Sequence, residues 1–454
     1  MSLEKMFHLK ENNTTVKTEI MAGVTSFMTM AYILAVNPNI LAAAGMDHGA
    51  VFTATAVASF IGTLCMALFA NYPFALAPGM GLNAYFAYTV VLGMGYSWEV
   101  ALAAVLTEGI IFIILSCFNI REAIFNAIPF NLKKAVSVGI GLFITFLGLQ
   151  NAKIVIGGAT LVGLFSVDGY NKTLADGLTA SMSDAGITVL LAIFGVLITG
   201  ILIVKNVKGN ILWGILITWI LGIICQFAGI YIPNPDLGFY NLLPDFSNGI
   251  SIPSLAPIMF KFSLKGVPVL EFIIIVFAFL FVDLFDTLGT LIGVSAKADM
   301  LDSEGRLPRI KGALLADAVG TTCGACLGTS TVTTFVESAS GVTEGGRTGL
   351  TSLTTGILFL LSLFLSPIFL AIPSFATAPA LIVVGFLMLT SILKVNFEDY
   401  TEAIPAYVAV IAMPFMYSIS EGIAMGIISY VVINLVTGKA KEKHITPLMY
   451  VLAV

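Results

Sequence analysis

Long apolar runs recur along this chain from about residue 20 to residue 437, and they set the strongest limit on its fold. A helix needs about 20 mostly apolar residues to cross the hydrocarbon core of a bilayer. The mean hydropathy is +1.00 and only 10% of the residues are charged, whereas a soluble domain contains about 25%. Strand-like alternation with regular turn signals is absent, so helices are favoured over a β-barrel. The sequence therefore predicts an all-α polytopic membrane protein.

The apolar runs divide into fourteen predicted spans, numbered 1 to 14 in chain order. Basic residues support this number, because Lys and Arg concentrate in the cytoplasmic loops of membrane proteins. With both termini inside, 17 of the 21 basic residues lie inside, and the remaining four are Lys153, Lys172, Lys261 and Lys265. The spans lie near residues 20–41, 50–70, 74–92, 98–118, 132–149, 186–204, 210–231, 269–293, 311–327, 328–345, 349–370, 376–393, 403–418 and 421–437.

Span 10, at residues 328–345, is a poor continuous helix because it is crowded with Thr, Ser and Gly and carries Glu337. Irregular polar backbone at membrane depth is tolerated only where protein buries it or a cavity adjoins it. We therefore expect a broken span, with an extended half followed by a half-helix that begins near Thr333. The positive N-terminal end of that half-helix would point to a site near the bilayer midplane. The alternative is a long polar loop between helices.

Span 3 carries a matching interruption. Fourteen spans divide into two halves of seven, and an odd number of crossings gives the halves opposite orientations, as in the inverted repeats of many transporters. Span 3 then corresponds to span 10. Pro78 disfavours helix in the residue before it, Gly79 and Gly81 permit a sharp turn, and Asn83 falls in the first turn of a half-helix. Paired interruptions of this kind predict a transport site.

Five acidic residues fall inside the predicted spans: Glu108, Asp283, Asp286, Asp317 and Glu337. An ionisable residue at membrane depth is a functional candidate by default. Asp283 and Asp286 share one helix face at a spacing of three, and their mutual repulsion favours protonation of one of them, which suits a proton carrier. Acids that lock helices together by bonding to backbone or Thr hydroxyls are the alternative. We expect that structural role for Glu108, with no second polar group beside it.

Residues beside the two interruptions are candidates for ligand contact. Thr334 and Phe335 adjoin the break in span 10, and Tyr85 and Phe86 adjoin the break in span 3. The rings of Phe335, Tyr85 and Phe86 could stack on a flat ligand, although ordinary packing explains these rings equally well. No Cys/His cluster or Ser/His/Asp set falls in the spans, so neither a cofactor nor an enzymatic activity is predicted. The basic residues are scattered, which argues against nucleic acid as a partner.

The motifs of the chain lie in the runs at 77–84, 283–290, 328–333, 337–341 and 345–349. Together they resemble those of the AzgA-type permeases, the guanine/hypoxanthine/adenine branch of the nucleobase–cation symporters (nucleobase–ascorbate transporter-like). The resemblance implies proton-coupled purine uptake across the plasma membrane by an elevator-like motion, and by analogy a homodimer. It also implies a core domain (1–118 and 269–372) and a gate domain (119–268 and 373–454).

The resemblance also assigns individual residues. The acids of spans 8 and 10 match Asp283 and Glu337, and the amide of span 3 matches Asn83. Asp286 matches a second required acid, and Asp317 a ninth-span acid of related nucleobase carriers. Substrate contact is thereby predicted for Asp283, Glu337 and Asn83, and proton coupling for Asp283, Asp286, Asp317 and Glu337.

Two function classes therefore remain for the fold. The favoured one is symport of a purine nucleobase with H⁺. Thr287 stands where uracil and xanthine carriers of the wider family usually have His, which argues against those two branches. The alternative is an anion transporter or exchanger on the same inverted-repeat plan, because helix N-termini suit anions. The acids argue against anions, and no basic residue lies at 78–83 or 330–337.

Overall fold

The computed structural model describes residues 3–117, 128–158, 161–174, 177–247, 249, 251–297, 300, 307–443 and 445–453. Helices occupy the predicted spans. The helices of spans 1, 2, 4, 5, 6 and 7 are Val16–Met30 with Ile33–Ala43, His48–Cys65, Trp98–Cys117, Phe130–Asn151, Ile187–Val204 and Asn210–Phe227. Those of spans 8, 9 and 11 to 14 are Val269–Lys297, Ile310–Leu327, Gly349–Leu361, Ser374–Leu389, Tyr400–Phe415 and Ile419–Val436.

The lengths of these helices agree with a polytopic membrane protein. Within the described ranges, nine helical stretches are long and apolar enough to cross a membrane, and two shorter apolar helices form spans 13 and 14. Span 8 is a single helix of 29 residues. The two remaining positions are spans 3 and 10, and both are interrupted as the sequence predicts.

Spans 3 and 10 each begin with a short extended segment. In span 3, strand β1 (Leu76–Pro78) leads into the helix Met80–Ala84, which continues as a π-helix. In span 10, strand β4 (Val332–Thr334) precedes the helix Ser338–Thr343. The predicted start of this half-helix near Thr333 was wrong, because the residue lies within the strand.

The two interrupted segments pair with each other as antiparallel strands. Leu76 lies opposite Thr334, and Pro78 lies opposite Val332. The pairing satisfies backbone groups that would otherwise be costly in the interior of a membrane protein. It also brings the backbone of Gly79 close to span 10, since a Cβ there would lie 2.8 Å from the Thr333 hydroxyl oxygen and would force a local shift. The equivalent spans of the two halves therefore meet directly, and they do so in opposite directions.

Two sets of helices make the most extensive contacts. Span 9 packs against spans 2 and 4, span 1 packs against spans 10 and 11, and span 8 packs against span 4. Separately, span 5 packs against spans 12 and 13, and span 6 packs against spans 7 and 12. The predicted domain boundary after residue 118 falls outside the described residues.

The segments between spans 5 and 6 and between spans 7 and 8 are the long loops that the sequence predicts. The first contains strands β2 (Val155–Gly157) and β3 (Val162–Leu164), which form an antiparallel pair, and the short helix Val167–Thr173. The second is mostly irregular within its described part.

A buried carboxylate joins span 1 to the start of span 11. Glu19 has no exposed surface, and its carboxylate accepts hydrogen bonds from the backbone N–H groups of Arg347 (2.9 Å), Thr348 (3.2 Å) and Thr351 (3.2 Å). The Thr351 hydroxyl donates a further bond of 2.6 Å. An acid is stabilised at this position because the N-terminus of a helix carries a partial positive charge.

Candidate functional site

Strand β4 packs against spans 8 and 9, and these two spans carry three of the predicted acids, Asp283, Asp286 and Asp317. Asp283 and Asp317 are both fully buried, on spans 8 and 9 respectively. The hydroxyl of Thr287 lies between them, 2.8 Å from Oδ1 of Asp283 and 2.7 Å from Oδ1 of Asp317. One threonine thereby links the acids of two neighbouring spans.

Asp286 faces the strand of span 10. Its Oδ2 accepts a hydrogen bond of 3.3 Å from the hydroxyl of Thr333, at the centre of β4. Asp283 and Asp286 lie about one helical turn apart on span 8 and make different contacts. Asp283 bonds to Thr287, whereas Asp286 bonds to Thr333. The helix face that the sequence predicts is therefore directed at span 9 and at β4, and both elements belong to the predicted site.

Glu337 occupies the position immediately before the half-helix of span 10. It is the N-cap of Ser338–Thr343, and the backbone N–H groups of Ser338 and Ala339 donate to the carbonyls of Phe335 (3.1 Å) and Val336 (3.0 Å). Its Oε1 accepts a 2.7 Å hydrogen bond from the phenol of Tyr32, which is fully buried in span 1. The acid is thus positioned by both the broken span and a neighbouring helix.

Asn83 connects the two interrupted spans. Its side-chain carbonyl accepts a hydrogen bond from the hydroxyl of Ser330, and its amide N–H donates to the carbonyl of Pro78 at 3.4 Å. Asn83 and Ser330 are both fully buried. Asn83 therefore holds the interrupted segments of spans 3 and 10 in a fixed position relative to each other.

The remaining predicted ligand contacts differ in their surroundings. Thr334 is buried, and its hydroxyl has no hydrogen-bond partner among the described residues, which leaves a polar group for a ligand. Phe335 follows the strand, and its backbone N–H donates to Ala75 at 3.0 Å. Tyr85 packs edge-on against Phe279 at 4.8 Å between ring centroids. The packing interpretation is thus the better one for Tyr85.

Glu108 corrects one expectation from the sequence. It is fully buried in span 4, and its Oε2 accepts a 2.7 Å hydrogen bond from the hydroxyl of Thr331. The prediction that no polar group lies beside it was wrong, because the irregular backbone of span 10 brings Thr331 to the face of span 4. Glu108 thereby contacts the residue that precedes β4.

Several polar residues of the site were missed by the sequence reasoning. Tyr32 and Asn37 both lie in span 1, and the amide of Asn37 donates to Thr55 (2.7 Å) and Thr329 (2.9 Å). Two polar side chains in one apolar span, one of them directly before Pro38, were a usable signal. Glu19 offered no comparable signal, because only the folded chain brings it to the start of span 11.

Comparisons with known proteins agree with this architecture. A profile described as the permease family (Xan_ur_permease) matches residues 17–425. A putative permease of Methanocaldococcus jannaschii, MJ0326, is 49% identical over 100% of this chain and 96% of its own length. The guanine/hypoxanthine permease PbuO of Bacillus subtilis is 43% identical over 99% of this chain and 98% of its own. The adenine permease AdeP of Escherichia coli is 41% identical over 97% and 92%.

Solved structures share the fold at much lower identity. The transmembrane domain of the cyanobacterial bicarbonate transporter BicA gives a TM-score of 0.64 at 17% identity, and covers 90% of this chain and 97% of its own. SLC26A9 gives a TM-score of 0.61 at 12% identity, with 93% of this chain and 66% of its own covered. These likenesses confirm the predicted inverted repeat of seven plus seven spans. The chain belongs to the permease family of the nucleobase–ascorbate transporters, with full-length similarity to its guanine/hypoxanthine and adenine permeases.

Proposed function

We propose that this protein takes up purine nucleobases together with protons, with hypoxanthine and guanine as the principal substrates and adenine as a further candidate. One observation carries the proposal: the threonines at the break of span 10 bond to acids, Thr331 to Glu108 and Thr333 to Asp286, and among the described residues no basic side chain bonds to them. The names of relatives that are 41% and 43% identical over nearly their whole lengths support purines as the substrate class.

The chemistry of a purine fits these groups. Hypoxanthine and guanine present ring N–H donors and a ring carbonyl in one plane. Carboxylates at Glu337 and Asp283 would accept from the N–H groups, and the backbone N–H groups that begin the half-helix of span 3 would donate to the carbonyl or a ring nitrogen. Thr334 would supply one further hydroxyl, and Phe335 would supply an apolar ring face.

Proton coupling follows from the cost of buried charge. An ionised carboxylate in a protein interior is unfavourable unless hydrogen bonds or other charges compensate it. Binding of a proton at Asp283, Asp286, Asp317 or Glu337 and binding of a purine should therefore assist each other. Such coupling is reciprocal, so a proton gradient can drive accumulation of the base.

The two sets of packed helices suggest how the site reaches both sides of the membrane. The core domain would comprise residues 1–118 and 269–372, and the gate domain residues 119–268 and 373–454. The core domain carries both interrupted spans, and we propose that it slides against the gate domain in an elevator-like motion. In this arrangement both termini lie on the cytoplasmic side of the plasma membrane.

An anion transporter is the second candidate, because one fold neighbour is a bicarbonate transporter. At 17% identity that likeness concerns the fold alone. The buried acids weigh against an anionic substrate, since like charges repel.

Uptake into proteoliposomes distinguishes the candidates. Purified protein is reconstituted and given labelled hypoxanthine, guanine, adenine, uracil or chloride, with and without an acidic exterior. We expect hypoxanthine and guanine to accumulate only with the pH gradient, and uracil and chloride to remain at the level of empty vesicles. Accumulation of chloride without purine uptake would replace the proposal by its alternative.

A further inference from the structure

The Thr287 hydroxyl is in contact with two carboxyl groups at once. Its Oγ1 lies 2.8 Å from Asp283 and 2.7 Å from Asp317, and both distances are those of full hydrogen bonds. All three residues are fully buried. The arrangement forms a continuous chain of oxygen atoms from span 8 to span 9.

The number of protons in this chain is limited by chemistry. A threonine hydroxyl has one hydrogen to donate, and an ionised carboxylate can only accept. Thr287 can therefore donate to one aspartate, but it must accept from the other. Two full hydrogen bonds at this hydroxyl require one of the two aspartates to be protonated.

We propose that the Asp283–Thr287–Asp317 chain holds one proton in excess of two ionised aspartates, and that Thr287 relays this proton between spans 8 and 9. In the relay, the O–H bond of Asp317 breaks as a new O–H bond forms on Thr287. The original Thr287 hydrogen passes to Asp283 in the same step, so no other reactant is needed. The reverse step returns the proton.

The relay would let Asp283 and Asp317 exchange a proton, although the two acids lie on different spans. Asp283 is one of the two acids proposed to contact the purine, whereas Asp317 belongs to the neighbouring span. Three other acids face this region: Asp286 through Thr333, Glu108 through Thr331, and Glu337 beside the half-helix of span 10. Any measurement on the chain must therefore be a difference between matched variants. The role of the relay in transport rests on the proposed proton symport, but the excess proton does not.

Infrared spectroscopy on the reconstituted protein without substrate tests the proton directly. At neutral pH, we expect wild type to show a carbonyl stretch from a protonated carboxyl group that is absent in Asp317→Asn and in Asp283→Asn. An amide at either position satisfies Thr287 without the extra proton. Thr287→Val should shift the band, whereas Thr322→Val should not, because the Thr322 hydroxyl donates to the Ala318 carbonyl of its own helix (2.8 Å). Identical carbonyl regions in wild type, Asp317→Asn and Asp283→Asn would overturn the proposal.

Transport measurements test the relay separately. Thr287→Ser keeps the hydroxyl and should retain proton-driven accumulation of hypoxanthine. Thr287→Val should lower accumulation at least about tenfold, the effect expected for loss of a buried hydrogen bond, while exchange of labelled for unlabelled base continues. Wild-type accumulation in Thr287→Val would exclude the relay. If wild type itself took up no purine, the proposed function would fail, and the infrared difference would still decide whether the proton is present.

Discussion

The phenol of Tyr32 donates a 2.7 Å hydrogen bond to Oε1 of Glu337, which joins two residues 305 positions apart in the chain. Tyr32 lies in the first span and Glu337 lies at the break of the tenth. The bond fixes the orientation of the acid that follows β4, next to the start of the half-helix. The orientation of this proposed substrate ligand thus depends on a helix that the sequence did not connect with it.

Removal of this bond should weaken substrate binding. Tyr32→Phe keeps the ring but leaves Glu337 without its phenol donor, and a hydrogen bond to a charged group contributes about 1.5–3 kcal/mol. We expect the Kd of hypoxanthine to rise at least about tenfold, with normal expression. Tyr231→Phe is the matched control, because Tyr231 donates to a loop carbonyl, that of Tyr240, at 2.8 Å. Equal affinity in Tyr32→Phe and wild type would remove Tyr32 from the site.

The two proposed ligand acids should be indispensable. Glu337→Gln and Asp283→Asn retain size and polarity but cannot hold a negative charge or exchange a proton. We expect each to abolish purine uptake while the protein still reaches the membrane, as measured by labelled uptake and surface quantification. Glu398→Gln, at an exposed acid, should transport as wild type does. Normal uptake by either site variant would exclude that residue from the mechanism.

Asn83 and Ser330 should act as a single unit. Their hydrogen bond connects the two interrupted spans, so Asn83→Ala and Ser330→Ala each remove the same connection. Residues that share one interaction are non-additive, and we expect the double variant to lose no more uptake than the worse single variant. Strictly additive losses would show that Asn83 contributes through the substrate rather than through Ser330.

The close approach of β1 and β4 at Gly79 predicts that a larger residue there lowers uptake. Gly79→Ala places a methyl group 2.8 Å from the Thr333 hydroxyl oxygen, which is too close for the pairing to persist unchanged. We expect uptake to fall at least about tenfold, an effect equivalent to about 1.4 kcal/mol. Gly200→Ala is the control, because nothing lies within 4 Å of its added methyl group. Full activity in Gly79→Ala would mean that the β1–β4 contact is dispensable.

The C-terminal tail should stabilise the protein at neutral pH and lose this effect in acid. Lys443 bonds to Asp399 and lies 2.8 Å from Glu402, at the start of span 13. Its hydrogen bond lowers the pKa of Asp399 from 3.8 to about 2. A lowered pKa in the folded state gives stability that is complete above the unfolded value and is lost as pH falls through the folded value.

Thermal unfolding followed by intrinsic fluorescence measures this dependence. We expect the Tm of wild type to exceed that of Lys443→Met at neutral pH, and the difference to shrink between about pH 4 and pH 2. Lys441→Met should leave the profile unchanged, since Lys441 forms no ion pair recorded in the described part of the tail. A difference that persisted unchanged at the lowest pH would contradict the contribution of Asp399.

The sequence predicted those features that depend on local composition. Pro78 and Gly79 mark the break in span 3, and the Thr- and Gly-rich run before Glu337 marks the break in span 10. A polar or helix-breaking residue in an apolar span is visible without any partner. The acids of span 8 are recognisable for the same reason.

Other features depend on contacts between distant segments. The pairing of Leu76 with Thr334 shifts the half-helix of span 10 to Ser338, because three residues are held in the strand. The bonds from Thr331 to Glu108 and from Tyr32 to Glu337 also arise only when helices from both halves pack together. No periodicity in a single sequence encodes such partners.

The central claim is that a purine and a proton cross the membrane together at the interrupted spans. The most direct measurement adds hypoxanthine to proteoliposomes that contain a pH-sensitive dye, with no initial pH gradient. The account predicts that hypoxanthine acidifies the lumen while uracil does not, and that Glu337→Gln abolishes the signal. Entry of hypoxanthine without acidification would contradict it.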